Sequence, residues 1–195
     1  MSQDNHDKEH QNGHNGQASL NVEEEIKEKQ KQIERQIIYY PHAEQYDLNT
    51  FDVDVESIDL SLSRLAKIEN FSRFKNLKSI CFRSNLLKTL NSEFLKAEQG
   101  LDKINELDFY DNQIEKIEHL DDLITLEVLD LSFNRFKKIE NVNKLVNLKK
   151  LYFVHNQFTK MENLETLTKL ELLEFGDNQL RQIENLDTMV NLKEL

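Results

Sequence analysis

Little in this sequence can crosslink, kink or loosen the backbone. Its 195 residues include one cysteine, one proline and four glycines, and no tryptophan. A lone Cys81 cannot form an internal disulfide, which favours a reducing compartment. Four glycines assemble neither a dinucleotide-binding GxGxxG nor a phosphate-binding P-loop. Cations are short as well: Lys and Arg number 25 against 36 Asp and Glu, a net charge of −11. Phosphate binding needs clustered positive charge, so neither nucleic acid nor an anionic membrane surface is an expected partner. A basic protein surface is the natural complement. No apolar run is long enough to cross a bilayer, and the first twenty residues lack the apolar centre of a signal peptide. The chain is expected to be soluble and intracellular.

What the sequence does contain is unevenly spread. Residues 1–20 are rich in Asn, Gln, His, Asp and Gly, and cannot bury enough surface to offset an ordering cost of about 1–2 kcal/mol per residue. They are expected to be a disordered polar tail. His6, His10 and His14 are four apart, but nothing there favours the helix that would gather them, so no metal site is expected. Residues 21–41 change in character. Asn21 can cap a helix, acids fill its first turn, and Val22, Ile26, Ile33 and Ile37 form a narrow apolar stripe. A charged helix ended by Pro41 is expected there.

From residue 42 to 195 the chain repeats itself. Each unit opens on an apolar residue: Val55, Leu77, Ile104, Leu126, Leu148, Leu170 and Leu192. Five of the six steps are 22 residues and the step from Leu77 to Ile104 is 27, leaving five extra residues after Leu90. The pattern LxxLxLxxNxL recurs as LKSICFRSNLL, INELDFYDNQI, LEVLDLSFNRF, LKKLYFVHNQF and LELLEFGDNQL. A second signature, Ile-Glu-Asn or a near variant, occurs at 68–70, 117–119, 139–141, 161–163 and 183–185. Such a period predicts an α/β leucine-rich-repeat solenoid of about six units. A parallel sheet would line its concave face, with short helices or 3₁₀ turns on the convex face. One unit buries about seven apolar side chains, which only about matches the entropy of fixing some 22 residues. Stacking of units must therefore supply the net stability. Leu192 and Leu195 begin a further strand without a closing cap, so the chain is expected to be part of a longer array.

Period-two alternation sends Leu129 and Leu131 inward and their neighbours to the concave face. The asparagines Asn85, Asn112, Asn134, Asn156 and Asn178 are expected to satisfy backbone groups of the turn and of the next unit. Ser63 takes their place in the first unit. The central concave residues would be Asp59, Cys81, Asp108, Asp130, Tyr152 and Glu174. Beside them lie Ser61, Arg83, Tyr110, Ser132, Val154 and Gly176, then Leu62, Ser84, Asp111, Phe133, His155 and Asp177. Acids interleaved with aromatics suit a protein interface. Candidate binding residues are Asp108, Tyr110, Asp130, Phe133, Tyr152, His155 and Glu174. The blander alternative is that the acids merely keep the wall soluble; exposed Phe133 and Tyr152 argue for binding.

Catalysis is not expected. Asp108 and Asp130 would lie about 5 Å apart on adjacent strands, but an open wall offers no water-excluding pocket for acid–base work. Arg83 is the sole hint that Cys81 is activated, and a passive thiol is the expectation. No cofactor is implied.

The segments ELDFYDNQIEKIEHL, EVLDLSFNRFKKIENVNKLVNLKKLYFVHNQ and LLEFGDNQLRQIENLDTMVNLKEL resemble the SDS22-like class of leucine-rich repeats. The resemblance runs over about residues 50–195 and is strongest from 104 onward. It implies a non-enzymatic regulatory subunit, in nucleus and cytoplasm, whose concave face holds the catalytic subunit of protein phosphatase 1. The contacts it implies are Asp130, Tyr152 and Glu174, where the family pattern has Asp, Phe and Glu. Tyr152 departs by a hydroxyl, which needs a partner or water. The rival reading is an axonemal or ciliary assembly scaffold built from the same repeats.

Overall fold

The computed structural model describes the backbone of Ile37–Tyr39 and residues 48, 51–69, 71–90, 95 and 101–195. The expected polar tail, most of the expected helix over 21–41 and most of the insertion after Leu90 lie outside the described residues. Gln36–Leu195 forms one compact unit.

Seven three-residue strands make a single parallel sheet in chain order. They are β1 (Ile37–Tyr39), β2 (Ser57–Asp59), β3 (Ser79–Cys81), β4 (Glu106–Asp108), β5 (Val128–Asp130), β6 (Lys150–Tyr152) and β7 (Leu172–Glu174). Equivalent residues pair throughout: Ile58 with Ile80, then Leu107, Leu129, Leu151 and Leu173 in turn. The 27-residue step leaves this register intact, since Ser79 still pairs with Glu106. An isolated bridge from Leu172 to Glu194 continues the same progression.

One expectation is overturned at the start of the array. The apolar stripe predicts helix through Ile37–Tyr39, but these residues are a strand, paired in parallel with β2. The sequence Ile-Ile-Tyr over 37–39 is β-branched and aromatic, types that favour strands. The edge of β2 offers it a ladder of backbone hydrogen bonds. Sheet pairing thus wins over the helical stripe, and the array starts before residue 42.

Strands this short are held by the packing beneath them and by their turns. The fourth and sixth repeat positions (Leu129 and Leu131 in β5's unit) are fully buried, as are the equivalents Leu151 and Phe153. Phenylalanines join neighbouring layers: Phe82 stacks on Phe109 at 5.3 Å, and Phe153 meets Phe158 at 4.8 Å and Phe175 at 5.2 Å. Burial depends on a neighbour on each side. Ile139 is fully buried between two units, whereas Ile183, its equivalent two units on, is 69% exposed.

The convex return is made of turns, with no α-helix among the described residues. In the unit before β5, Leu123 N–H donates to the Leu120 carbonyl and Leu126 N–H to the Leu123 carbonyl, both at 3.0 Å. Leu145, Leu148, Leu167 and Leu170 repeat the arrangement. Apolar residues three apart fit three residues per turn, so the expected 3₁₀-type turns form and helices do not.

The asparagine ladder works as expected in kind but not in direction. Asn134 Oδ1 accepts from Ile114 N–H at 3.0 Å, and its Nδ2 donates to the Phe109 carbonyl at 2.9 Å. Both groups belong to the preceding unit, whereas the repeat pattern suggests the next one. The amide also closes its own turn on the Leu131 and Ser132 carbonyls. Asn85, Asn112, Asn156 and Asn178 do the same.

The Ile-Glu-Asn signature proves to be a second ladder. Asn141, Asn163 and Asn185 adopt the left-handed conformation at φ 57°, 61° and 61°. Their Nδ2 groups donate to the carbonyls of Ile117, Ile139 and Met161 one unit back. Asparagine is the side chain that tolerates this backbone while bonding locally. His119 fills the place in its unit, also left-handed at φ 62°.

Candidate functional site: the concave wall

The concave columns form as the period predicts. Asp59, Cys81, Asp108, Asp130, Tyr152 and Glu174 sit side by side at the ends of β2–β7 and are half-buried. Three of the acids also serve the backbone. Asp59 Oδ1 accepts from Ser61 N–H, Asp108 Oδ1 from Tyr110 N–H and Asp130 Oδ1 from Ser132 N–H, each at 2.8 Å. A carboxylate two residues before the turn thus satisfies an amide where the strand ends. Tyr152 cannot do this, and Val154 N–H donates instead to Ser132 Oγ of the preceding unit at 3.2 Å. Asp-x-Ser is therefore partly a folding device, whereas Tyr152 keeps its hydroxyl for another use.

Arg83 binds the two acids that the repeat period sets side by side. Its Nη2 and Nε lie 2.8 and 3.1 Å from Asp108 Oδ2, and Nη2 is 3.7 Å from Asp130 Oδ2. The guanidinium also stands over the Tyr110 ring, 4.2 Å from its centroid. Burial pushes the Asp130 carboxyl above its usual range, partly offset by the Ser132 hydrogen bonds, while Asp108 adds to the rise and Arg83 opposes it. Burial, then Glu174 and Asp130, raise the Tyr152 phenol. Its oxygen stays protonated at neutral pH as a hydrogen-bond donor.

Cys81 is the opposite of an activated thiol. Burial pushes it up to about 11; its contact with Ser61 opposes the rise and Asp108 adds to it. Arg83, its only sequence hint of activation, is turned onto Asp108. The passive reading of Cys81 is the one that fits.

A second line of side chains runs along the rim. Leu62, Ser84, Asp111, Phe133, His155 and Asp177 are all left-handed, with φ from 53° to 57°. For phenylalanine this conformation costs on the order of 1 kcal/mol. It recurs in six units, so it is a requirement of the turn. Its consequence is to lift these side chains outward. Tyr110 and Phe133 lie 4.7 Å apart, Phe133 stacks on His155 at 4.6 Å, and His155 Nδ1 contacts Asp177 Oδ2. Phe133 stays 36% exposed even so.

All seven candidate residues therefore come together: Asp108, Asp130, Tyr152 and Glu174 along the strand ends, and Tyr110, Phe133 and His155 beside them. Arg83 is a member of the site that sequence reasoning misses. A lone cation in columns of acids is the available signal. Among the described residues no group of three or more His, Cys, Asp or Glu is disposed to hold a metal ion, and no helix is long and apolar enough to cross a membrane.

Strand-per-unit stacking, two asparagine ladders and a continuous leucine core define a leucine-rich-repeat protein. A profile described as "Leucine Rich repeats (2 copies)" matches residues 124–168 and 146–188. More narrowly, its repeats are similar to those of SDS22-like proteins. It is 44% identical over 66 residues to the protein phosphatase 1 regulatory subunit SDS22 of Saccharomyces cerevisiae, covering 33% of this chain and 19% of that protein. The Schizosaccharomyces pombe protein of the same name is 43% identical over 97 residues, 46% of this chain and 27% of its own length. A Caenorhabditis elegans homolog is 42% identical over 77 residues, 40% and 22% of the two chains. The matches thus span about a fifth to a quarter of those relatives. Among solved structures, an internalin of Listeria monocytogenes superposes with TM-score 0.62 at 23% identity, over 70% of this chain and 39% of that one. A Leptospira interrogans leucine-rich-repeat protein gives 0.60 at 23% identity, over 73% and 34%. These last two establish the fold alone.

Proposed function

We propose that this chain is a non-enzymatic regulatory subunit that binds the catalytic subunit of protein phosphatase 1 through its concave wall. The observation that carries the reading is the in-register row Asp130, Tyr152, Glu174 at the ends of β5, β6 and β7. It sets an aromatic ring between two acids on a wall that is open to solvent. Such a row can receive a partner's cationic side chains and cover them with an aromatic face. The relatives named as phosphatase regulatory subunits support the choice of partner. An open wall favours surface recognition over chemistry, and the proposed effect on the phosphatase is by occupation of its surface. Nucleus and cytoplasm are the proposed locations, in keeping with that partner.

Calorimetric titration of the full chain with purified catalytic subunit tests this. Saturable binding is expected, and it should weaken as salt rises, because an acidic wall draws a basic surface partly through screened attraction. A chain that is folded by circular dichroism yet shows no heat of binding and no complex on gel filtration would end the phosphatase reading. The ciliary scaffold reading would then take precedence.

A further inference from the structure

The concave wall already holds one cation, and that cation is its own. Arg83 reaches forward from the unit of β3 to grip Asp108 on β4 and approach Asp130 on β5, with its guanidinium over the Tyr110 ring. The Asp108 and Asp130 side chains are only 18% and 17% exposed, whereas that of Arg83 is 44% exposed. The acids are thus the less exposed partners, and the guanidinium that meets them faces solvent. One unit further on, the strand-end row changes to an aromatic ring between two acids. Asp130, Tyr152 and Glu174 are paired in register, and among the described residues no guanidinium or ammonium lies over the Tyr152 ring.

We infer that Arg83 is a built-in competitor and specificity-determining residue: it holds Asp108 against a partner's cation, engages Asp130 only loosely, and so directs basic ligands to the row from Asp130 through Tyr152 to Glu174. The inference rests on the proposed binding role of the wall, but its chemistry can be read without the phosphatase. A guanidinium held by one carboxylate in two contacts, with a second carboxylate and an aromatic face, must be displaced before an outside cation can use the same oxygens. Oδ1 of each acid already accepts a backbone N–H, and Asp108 Oδ2 is held twice by Arg83, so Asp108 is the less available of the two carboxylates. A partner cation therefore binds Asp108 only at the expense of the internal contact. The purely structural alternative is that Arg83 merely neutralises two adjacent carboxylates. That alternative predicts a loss of stability on its removal but no gain of binding.

The test uses the full chain and two probes, a hexa-arginine peptide and the phosphatase catalytic subunit, at low salt. Arg83→Gln should bind the peptide about three- to tenfold more tightly than the parent, a gain of the size given by one freed charge pair. Lys160→Gln removes the same charge from an exposed position outside the strands and should change binding by less than about twofold. Adding Asp108→Asn to Arg83→Gln should cancel most of the gain. If Arg83→Gln proves too unstable by circular dichroism, Arg83→Lys keeps the charge but loses the fork, and should still gain measurably. Unchanged or weaker peptide binding by the folded variant, or an equal gain from Lys160→Gln, would overturn the inference. A gain with the peptide while neither protein binds the phosphatase would retain the inference and remove the phosphatase reading.

Discussion

Asn134→Leu should destabilise the protein by about 2–4 kcal/mol, the cost of leaving buried backbone groups without partners. Leucine is close in size to asparagine, so packing is not what fails. The loss lies in hydrogen bonds that cross between units. Ile114 N–H, which points at Asn134 Oδ1 from the preceding unit, is left without that acceptor. The Phe109 carbonyl loses a donor at 2.9 Å, and the Leu131 and Ser132 carbonyls lose the bonds that close the turn. Asn134 is buried, so water cannot readily replace them. Exposed Asn143, changed to alanine, should shift stability by no more than about 0.5 kcal/mol. Urea denaturation monitored by circular dichroism measures both. A shift for Asn134→Leu as small as that of the control would mean that the ladder is incidental to the fold.

Phe153→Ala should cost about 3–5 kcal/mol and split the unfolding transition. The ring is fully buried and touches Phe158 and Phe175, so its removal opens a cavity at the joint between two units. In a stack held by nearest-neighbour contacts, weakening one joint separates the melting of the units on either side. Calorimetry should show the single endotherm broaden or divide. Phe133 gives the contrast: it is 36% exposed and packs on rim side chains alone. Phe133→Ala should cost less than about 1 kcal/mol, because it gives up much less burial than Phe153 and leaves the left-handed backbone as it was. Equal losses for the two would contradict the division between core and rim.

These two residues illustrate how much is legible in the sequence. Position in the 22-residue period alone separates Phe153, in a core column, from Phe133, on the rim, because a strand's alternation is strict and each unit repeats it. The same logic places all seven candidate residues on one wall. Three things are not legible, each for a physical reason. Ile37 to Tyr39 carry a helix-like stripe and a strand-like composition at once, and the open edge of β2 decides between them. The direction of the asparagine bonds depends on how units offset along the stack, which a linear pattern does not contain. Arg83 reads as one residue among acids, yet its length lets it span two units and occupy the carboxylates that the period sets side by side.

The central claim is that the row Asp130, Tyr152, Glu174 is where a partner is held. Its most direct test is one calorimetric titration of the phosphatase catalytic subunit into the full chain and into the variant Asp130→Ala/Tyr152→Ala/Glu174→Ala. None of the three is fully buried, and the one backbone bond lost is that from Ser132 N–H to Asp130 Oδ1, so the variant should fold, and its circular dichroism spectrum is compared with the parent's first. The account predicts that it binds at least about a hundredfold more weakly, the loss expected when central interface residues are removed together. A folded triple variant that binds as tightly as the parent would place the partner elsewhere and contradict the account.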